Sequence, residues 1–184
     1  HQGTDTVLAG AALVLALQTL VSRTVDPLEP AVVSVTRFHA GHADNVLPEQ
    51  AVLGGTVRTF RPELQDALEE GMRRICTGIE TTHRVQASLK YERGYPPTIN
   101  APAPTAICRE VARQVAGADG LHAHLKPSMG AEDFAYLSQV VPGCYVWLGN
   151  GPGEGGCMLH SPHYDFNDDI IATGIRYWTR LVET

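Results

Sequence analysis

The residues best suited to chemistry gather near the end of the chain, in Leu159-His160-Ser161-Pro162-His163-Tyr164-Asp165-Phe166-Asn167-Asp168. Imidazole nitrogen is a common metal ligand, and a nearby carboxylate can fix its tautomer and orientation. The stretch follows a glycine-rich loop, Gly149 to Gly156, and precedes an apolar segment with helical spacing. A histidine delivered by such a loop to the foot of a helix suits a metal site. The same residues also suit a plain tight turn, with Pro162 stopping one element and Asp165 or Asn167 capping the next. A third arrangement is Cys157-x-x-His160-x-x-His163 with Cys144 as fourth donor, which has the ligand types of a small closed zinc site. No second ligand pair with finger-like spacing accompanies it.

Asn45 and Arg58 form a second constellation, thirteen positions apart. An arginine on a strand and an asparagine on a loop can clamp a carboxylate, the guanidinium supplying a two-pronged fork. One turn of antiparallel chain is expected to bring them to the same end of a sheet. Read by themselves, they are equally an exposed strand residue and a turn residue. Glu132 and Asp133 stand where a helix should begin, a place where carboxylates complement the helix dipole. His39 and His42 read as polar loop residues. His122 and His124 read as the solvent face of a short strand.

These side chains need a frame. Thr4 or Asp5 can cap a helix running to about Ser22, which Asp26-Pro27-Leu28-Glu29-Pro30 ends. Residues 31–39 and 51–60 alternate β-branched and polar residues and read as an antiparallel pair of strands. Pro62 opens a second helix to about Thr82, and the alternation Val85, Ala87, Leu89, Tyr91 predicts a third strand. The order helix, strand, strand, helix, strand is a split βαβ (ferredoxin-like) α+β layout lacking its first strand. The proline-rich segment 94–104 is the natural boundary, which gives domains 1–93 and 94–184. Beyond it the pattern predicts a helix over 105–115, a strand at 121–125, a helix begun by Glu132, a strand at 144–148 and a helix over 168–182. That alternation reads as the end of an α/β sheet domain.

Composition narrows the classes. The 184 residues are 43% hydrophobic and 18% charged, as in an ordinary globular protein. A net charge of −6 without a Lys/Arg cluster argues against nucleic acid as a partner. The apolar run Val7–Leu17 is too short to span a bilayer and lacks the flanks of a signal peptide. Cys76, Cys108, Cys144 and Cys157 show no disulfide framework, which suits reduced thiols in the cytoplasm.

Five ordered segments carry a family resemblance: His1-Gln2-Gly3-Thr4-Asp5, His39-Ala40-Gly41 through Asn45-Val46-Leu47-Pro48, Gly55-Thr56-Val57-Arg58-Thr59-Phe60, Met129-Gly130-Ala131-Glu132-Asp133-Phe134, and the His160 stretch. Gly94-Tyr95-Pro96-Pro97 also fits. Together they resemble the metallo-amidohydrolases that include hippurate hydrolase and the indole-acetyl-amino-acid hydrolases, within the aminoacylase and carboxypeptidase superfamily. The resemblance implies a lid domain joined to the C-terminal part of a metallopeptidase-like catalytic domain. It also implies hydrolysis of N-acyl amino acids by water activated on two divalent metals, zinc or manganese. On that reading His160 is a metal ligand, Asn45 and Arg58 grip the substrate carboxylate, and Glu132 lies beside the active site. The remaining ligands and the general base belong to an N-terminal segment, so His1 marks a fragment whose lid has lost its first strand. The family also implies a homodimer formed through the lid. A non-catalytic dimerisation or ligand-binding module is the competing expectation.

Overall fold

The computed structural model describes residues 1–151 and 157–184. The chain divides into two compact units, His1–Pro97 and Thr98–Thr184.

In the first unit, helix α1 (Thr6–Thr19) begins where the Asp5 carboxylate accepts the Leu8 N–H at 2.9 Å, a side-chain N-cap. A π-helical turn, Leu20–Thr24, continues it. Strands β1 (Ala31–Ala40) and β2 (Ala51–Thr59) form an antiparallel ribbon with a bulge between Val35 and Arg37. Helix α2 (Pro62–His83) has proline in its first turn and ends at Arg84, whose φ of 56° is left-handed. Leu17, Leu20, Val33 and Leu68 form the buried centre, ringed by Leu13, Val21, Val57, Leu64, Met72 and Ile75. Gly10 lets α1 close on the ribbon, since a Cβ there would stand 2.6 Å from the Phe38 ring.

The bulge explains a second glycine. A Cβ on Gly55 would lie 2.0 Å from the Ser34 carbonyl oxygen, a backbone atom that cannot swing away. Gly55→Ala is therefore expected to destabilise this unit by on the order of 3 kcal/mol. Gly78→Ala is the control. It sits in α2 with nothing within 4 Å of the added methyl, and alanine should stabilise by about 0.5–1 kcal/mol. Urea unfolding midpoints of the two variants check both signs.

The third strand does not form. Residues 85–91 alternate half-buried and exposed side chains as expected, yet among the described residues pair with no other strand. An extended segment becomes a strand only when a neighbour takes its N–H and C=O groups, and among the described residues β1 and β2 pair only with each other. Glu80 holds the segment instead, accepting the Ala87 N–H at 2.9 Å. The membrane reading also changes. The helical stretch Thr6–Thr24 runs 19 residues with a mean hydropathy of 1.6, long and apolar enough by length and composition to cross a membrane. It packs as a core helix on one side, burying Ala9, Gly10, Leu17 and Leu20, and leaves Val7, Leu8 and Leu15 exposed.

In the second unit, α3 (Pro102–Ala116) packs with α5 (Ile171–Val182), and α4 (Phe134–Val140) buries Ala135 fully. Among the described residues, the strands expected at 121–125 and 144–148 do not form, for the same reason as 85–91: no described strand pairs with them. His122 and His124 therefore do not sit on a strand face. The helix expected to begin at Glu132 starts at Phe134. Along α5, Ile171, Ile175, Trp178 and Val182 form an exposed apolar stripe at helical spacing.

The solvent-accessible surface is 13731 Å². Two separate compact domains of about 10 kDa each would expose roughly 10,500 Å². Large apolar side chains are exposed in each unit, Val7, Leu8 and Leu15 in the first and Ile171, Ile175 and Trp178 in the second, a kind of surface that ordinarily meets other protein.

Candidate functional site

His160 lies at the tip of a turn with φ 71°, a left-handed backbone that non-glycine residues adopt sparingly. Ser161 N–H donates to Met158 O at 3.1 Å, and Tyr164 N–H donates to Ser161 O at 3.1 Å, so two successive turns shape the tip. The imidazole is exposed. Strain held at an exposed polar residue fits a functional role better than a packing one.

A polar latch closes the base of this stretch. Asn167 donates its N–H to Asn150 Oδ1 at 2.8 Å and its Nδ2 to Asn150 O at 3.0 Å. Asn150 Nδ2 donates to Asp165 O at 2.9 Å. Asn167 Oδ1 also accepts the Asp169 N–H at 3.1 Å, capping the 3-10 turn Asp168–Ile170 that leads into α5. The capping role expected of Asp165 or Asn167 thus falls to Asn167. Most of the glycine-rich loop, residues 152–156, lies outside the described residues.

Among the described residues no three His, Cys, Asp or Glu side chains stand together where they could hold a metal ion. The closed site of Cys157, His160, His163 and Cys144 is therefore not formed; a zinc ion needs four donors at about 2.0–2.3 Å from one point. Cys76, Cys108, Cys144 and Cys157 are free thiols. The donor chemistry of His160 fits one ligand position, and the described residues do not complete a two-metal centre.

Glu132 is held from two sides. Tyr145 donates its hydroxyl to Glu132 Oε2 at 2.8 Å, and the Phe134 N–H donates to Oε1 at 3.3 Å. The Tyr145 hydroxyl first, then Asp133 and the Phe134 amide, hold this carboxyl below the usual glutamate range. The same bond pushes the Tyr145 phenol up. Asn100 and Tyr145, which the sequence reading missed, are joined by reciprocal bonds: Asn100 Nδ2 to Tyr145 O at 2.9 Å and Tyr145 N to Asn100 Oδ1 at 2.8 Å. Their sequence signal was slight: Asn100 is one of two small polar side chains, with Thr98, inside the proline-rich boundary.

The ribbon separates Asn45 from Arg58. Asn45 is exposed in the loop that joins β1 to β2, whereas Arg58 pairs with Val32 at the opposite end of the ribbon. Seven steps of β2, from Ala51 to Arg58, span roughly 23 Å at about 3.3 Å per residue. The expectation that both meet at one sheet end is overturned: an antiparallel ribbon places a loop residue and a residue near the far strand terminus at opposite ends. Arg58 has no acidic partner among the described residues, and its nearest bond is a long one to Val57 O at 3.5 Å.

Comparison with known proteins places this geometry. Residues 3–184 match peptidase family M20/M25/M40. The chain belongs to that family. It is 33% identical to the hippurate hydrolase of Campylobacter jejuni over 96% of the chain and 45% of that protein. It is 36% identical to the N-acetyldiaminopimelate deacetylase of Enterococcus faecalis, over 95% of the chain and 45% of that protein. Among solved structures, YXEP of Bacillus subtilis, described as a dinuclear metal-binding M20 peptidase, aligns with a TM-score of 0.71 at 32% identity. That alignment covers 97% of the chain and 45% of YXEP. The M20-type fold and the amidohydrolase relationship are thereby shown. The M20 chain described here spans less than half the length of these relatives.

Proposed function

We propose that these residues are the C-terminal part of a cytoplasmic, metal-dependent amidohydrolase that cleaves N-acyl amino acids into a carboxylic acid and an amino acid. Family membership beside hippurate hydrolase and an N-acetyl-amino-acid deacetylase is the observation that carries the reading. Residues 1–93 act as the lid, and 94–184 contribute part of the catalytic domain. The two-metal chemistry of zinc or manganese, carbonyl polarisation and activation of water, needs donors and a general base that the described residues do not assemble. The roles of this chain are placement and grip.

His160 supplies one ligand from its strained turn. Arg58, without an acidic partner among the described residues, receives the substrate carboxylate, and Glu132 faces the substrate from the α4 turn. Because Asn45 and Arg58 stand at opposite ends of the ribbon, Asn45 serves a different point of contact within one lid. A second copy pairs through the lid, which the exposed Val7, Leu8 and Leu15 on α1 support.

The test is a screen of the metal-reconstituted full-length protein with N-benzoyl and N-acetyl amino acids, following release of free amino acid. Release from at least one of these classes is expected, with none from the 184-residue chain alone. A folded full-length protein that released none would favour a non-catalytic module. Release by the chain alone would overturn the division of roles.

A further inference from the structure

We propose that Tyr145 is a positioning residue for Glu132, fixing its carboxylate in one orientation toward the substrate. The inference rests on the reading of Glu132 as a substrate-facing group, and its geometry is independent of that reading. Both carboxylate oxygens are engaged, Oε2 by the Tyr145 hydroxyl at 2.8 Å and Oε1 by the Phe134 N–H at 3.3 Å. Two bonds from different directions leave the side chain no free rotation.

Tyr145 is itself immobilised. Its backbone is clamped on both polar atoms by Asn100, 45 residues away in sequence. Its ring stands between Phe134, at 5.8 Å, and Trp147, at 5.9 Å and nearly perpendicular. The chain thus carries rigidity from Asn100 through Tyr145 to Glu132, across three segments with no regular ladder between them. A phenol aimed at a carboxylate also favours the charged form, in keeping with the lowered Glu132 and raised Tyr145. The groups facing Glu132 are Tyr145, Asp133 and the Phe134 amide.

Tyr145→Phe removes the hydroxyl and keeps both ring contacts, so it isolates the bond. Losing a charge-assisted hydrogen bond should lower kcat/KM of the full-length enzyme by about tenfold. Glu132 would then bind its proton more readily, so the acid limb of the pH profile should move to higher pH. In a Glu132→Gln background, Tyr145→Phe should cost little more, because the charged acceptor is gone. A second measurement needs no turnover: the carbon-13 titration of the Glu132 carboxyl in the 184-residue chain should shift upward in Tyr145→Phe. A carboxyl midpoint unmoved by Tyr145→Phe overturns the proposal, whatever the activity. So does a lower melting temperature with unchanged kcat/KM and pH limb, since that is a purely structural bond. A full-length protein inert toward every N-acyl amino acid removes the functional reading instead, while the carboxyl titration still decides whether Tyr145 governs Glu132.

Discussion

His160→Ala in the full-length enzyme should lower bound metal and amide hydrolysis together, with kcat falling at least a hundredfold. Loss of an outer-shell partner of a metal typically costs ten- to a hundredfold in affinity or activity, and a direct ligand should exceed that. The backbone adds a control. His160 holds φ 71°, a conformation that glycine adopts without strain. His160→Gly should therefore keep the turn, and a matching loss of metal would assign the effect to the imidazole rather than to the loop. Normal metal content with normal turnover in either variant would remove His160 from the site.

Arg58→Ala should produce the second large effect, and a selective one. A charge-assisted contact to a carboxylate contributes about 1.5–3 kcal/mol, or roughly ten- to a hundredfold in affinity. Substrates with a free carboxylate should lose that much, while their methyl esters and amides change little. Arg58→Lys should recover part of the loss, since a point charge cannot reproduce the planar fork. Asn45→Ala should combine additively with Arg58→Ala within a subunit, as expected of positions at opposite ends of the ribbon. Strong coupling between them would mean that one carboxylate meets both, with Asn45 supplied by the second lid of a dimer. Equal losses on acids and esters would end the case for a clamp.

The helices were legible in the sequence because their signals are local. Asp5 caps α1, Pro62 opens α2, and the apolar spacing of Leu64, Leu68, Met72 and Ile75 marks the buried face of α2. The β1–β2 pair was legible for the same reason. Residues 85–91, 121–125 and 144–148 carry strand-like composition but form no ladder. Strand identity depends on a neighbour, and alternation along one segment cannot report whether that neighbour is there. The same limit explains Asn45 and Arg58: a separation of thirteen positions does not say where the turn falls. His160 was found through the motif that contains it, whereas spacing alone left a turn and a closed zinc site open. Tyr145 and Asn100 could not be linked to each other or to Glu132 from sequence because the bonds that matter join residues 13 and 45 positions apart. Tyr145 read only as one position of the strand expected at 144–148, and only the fold shows its hydroxyl turned to Glu132.

The most direct test of metal-dependent amide hydrolysis is a metal titration of the stripped full-length protein, following release of amino acid from N-acyl substrates. Activity should be absent without metal and return as zinc or manganese is added, levelling near two equivalents per subunit. Full amide hydrolysis by the metal-free protein would contradict the account.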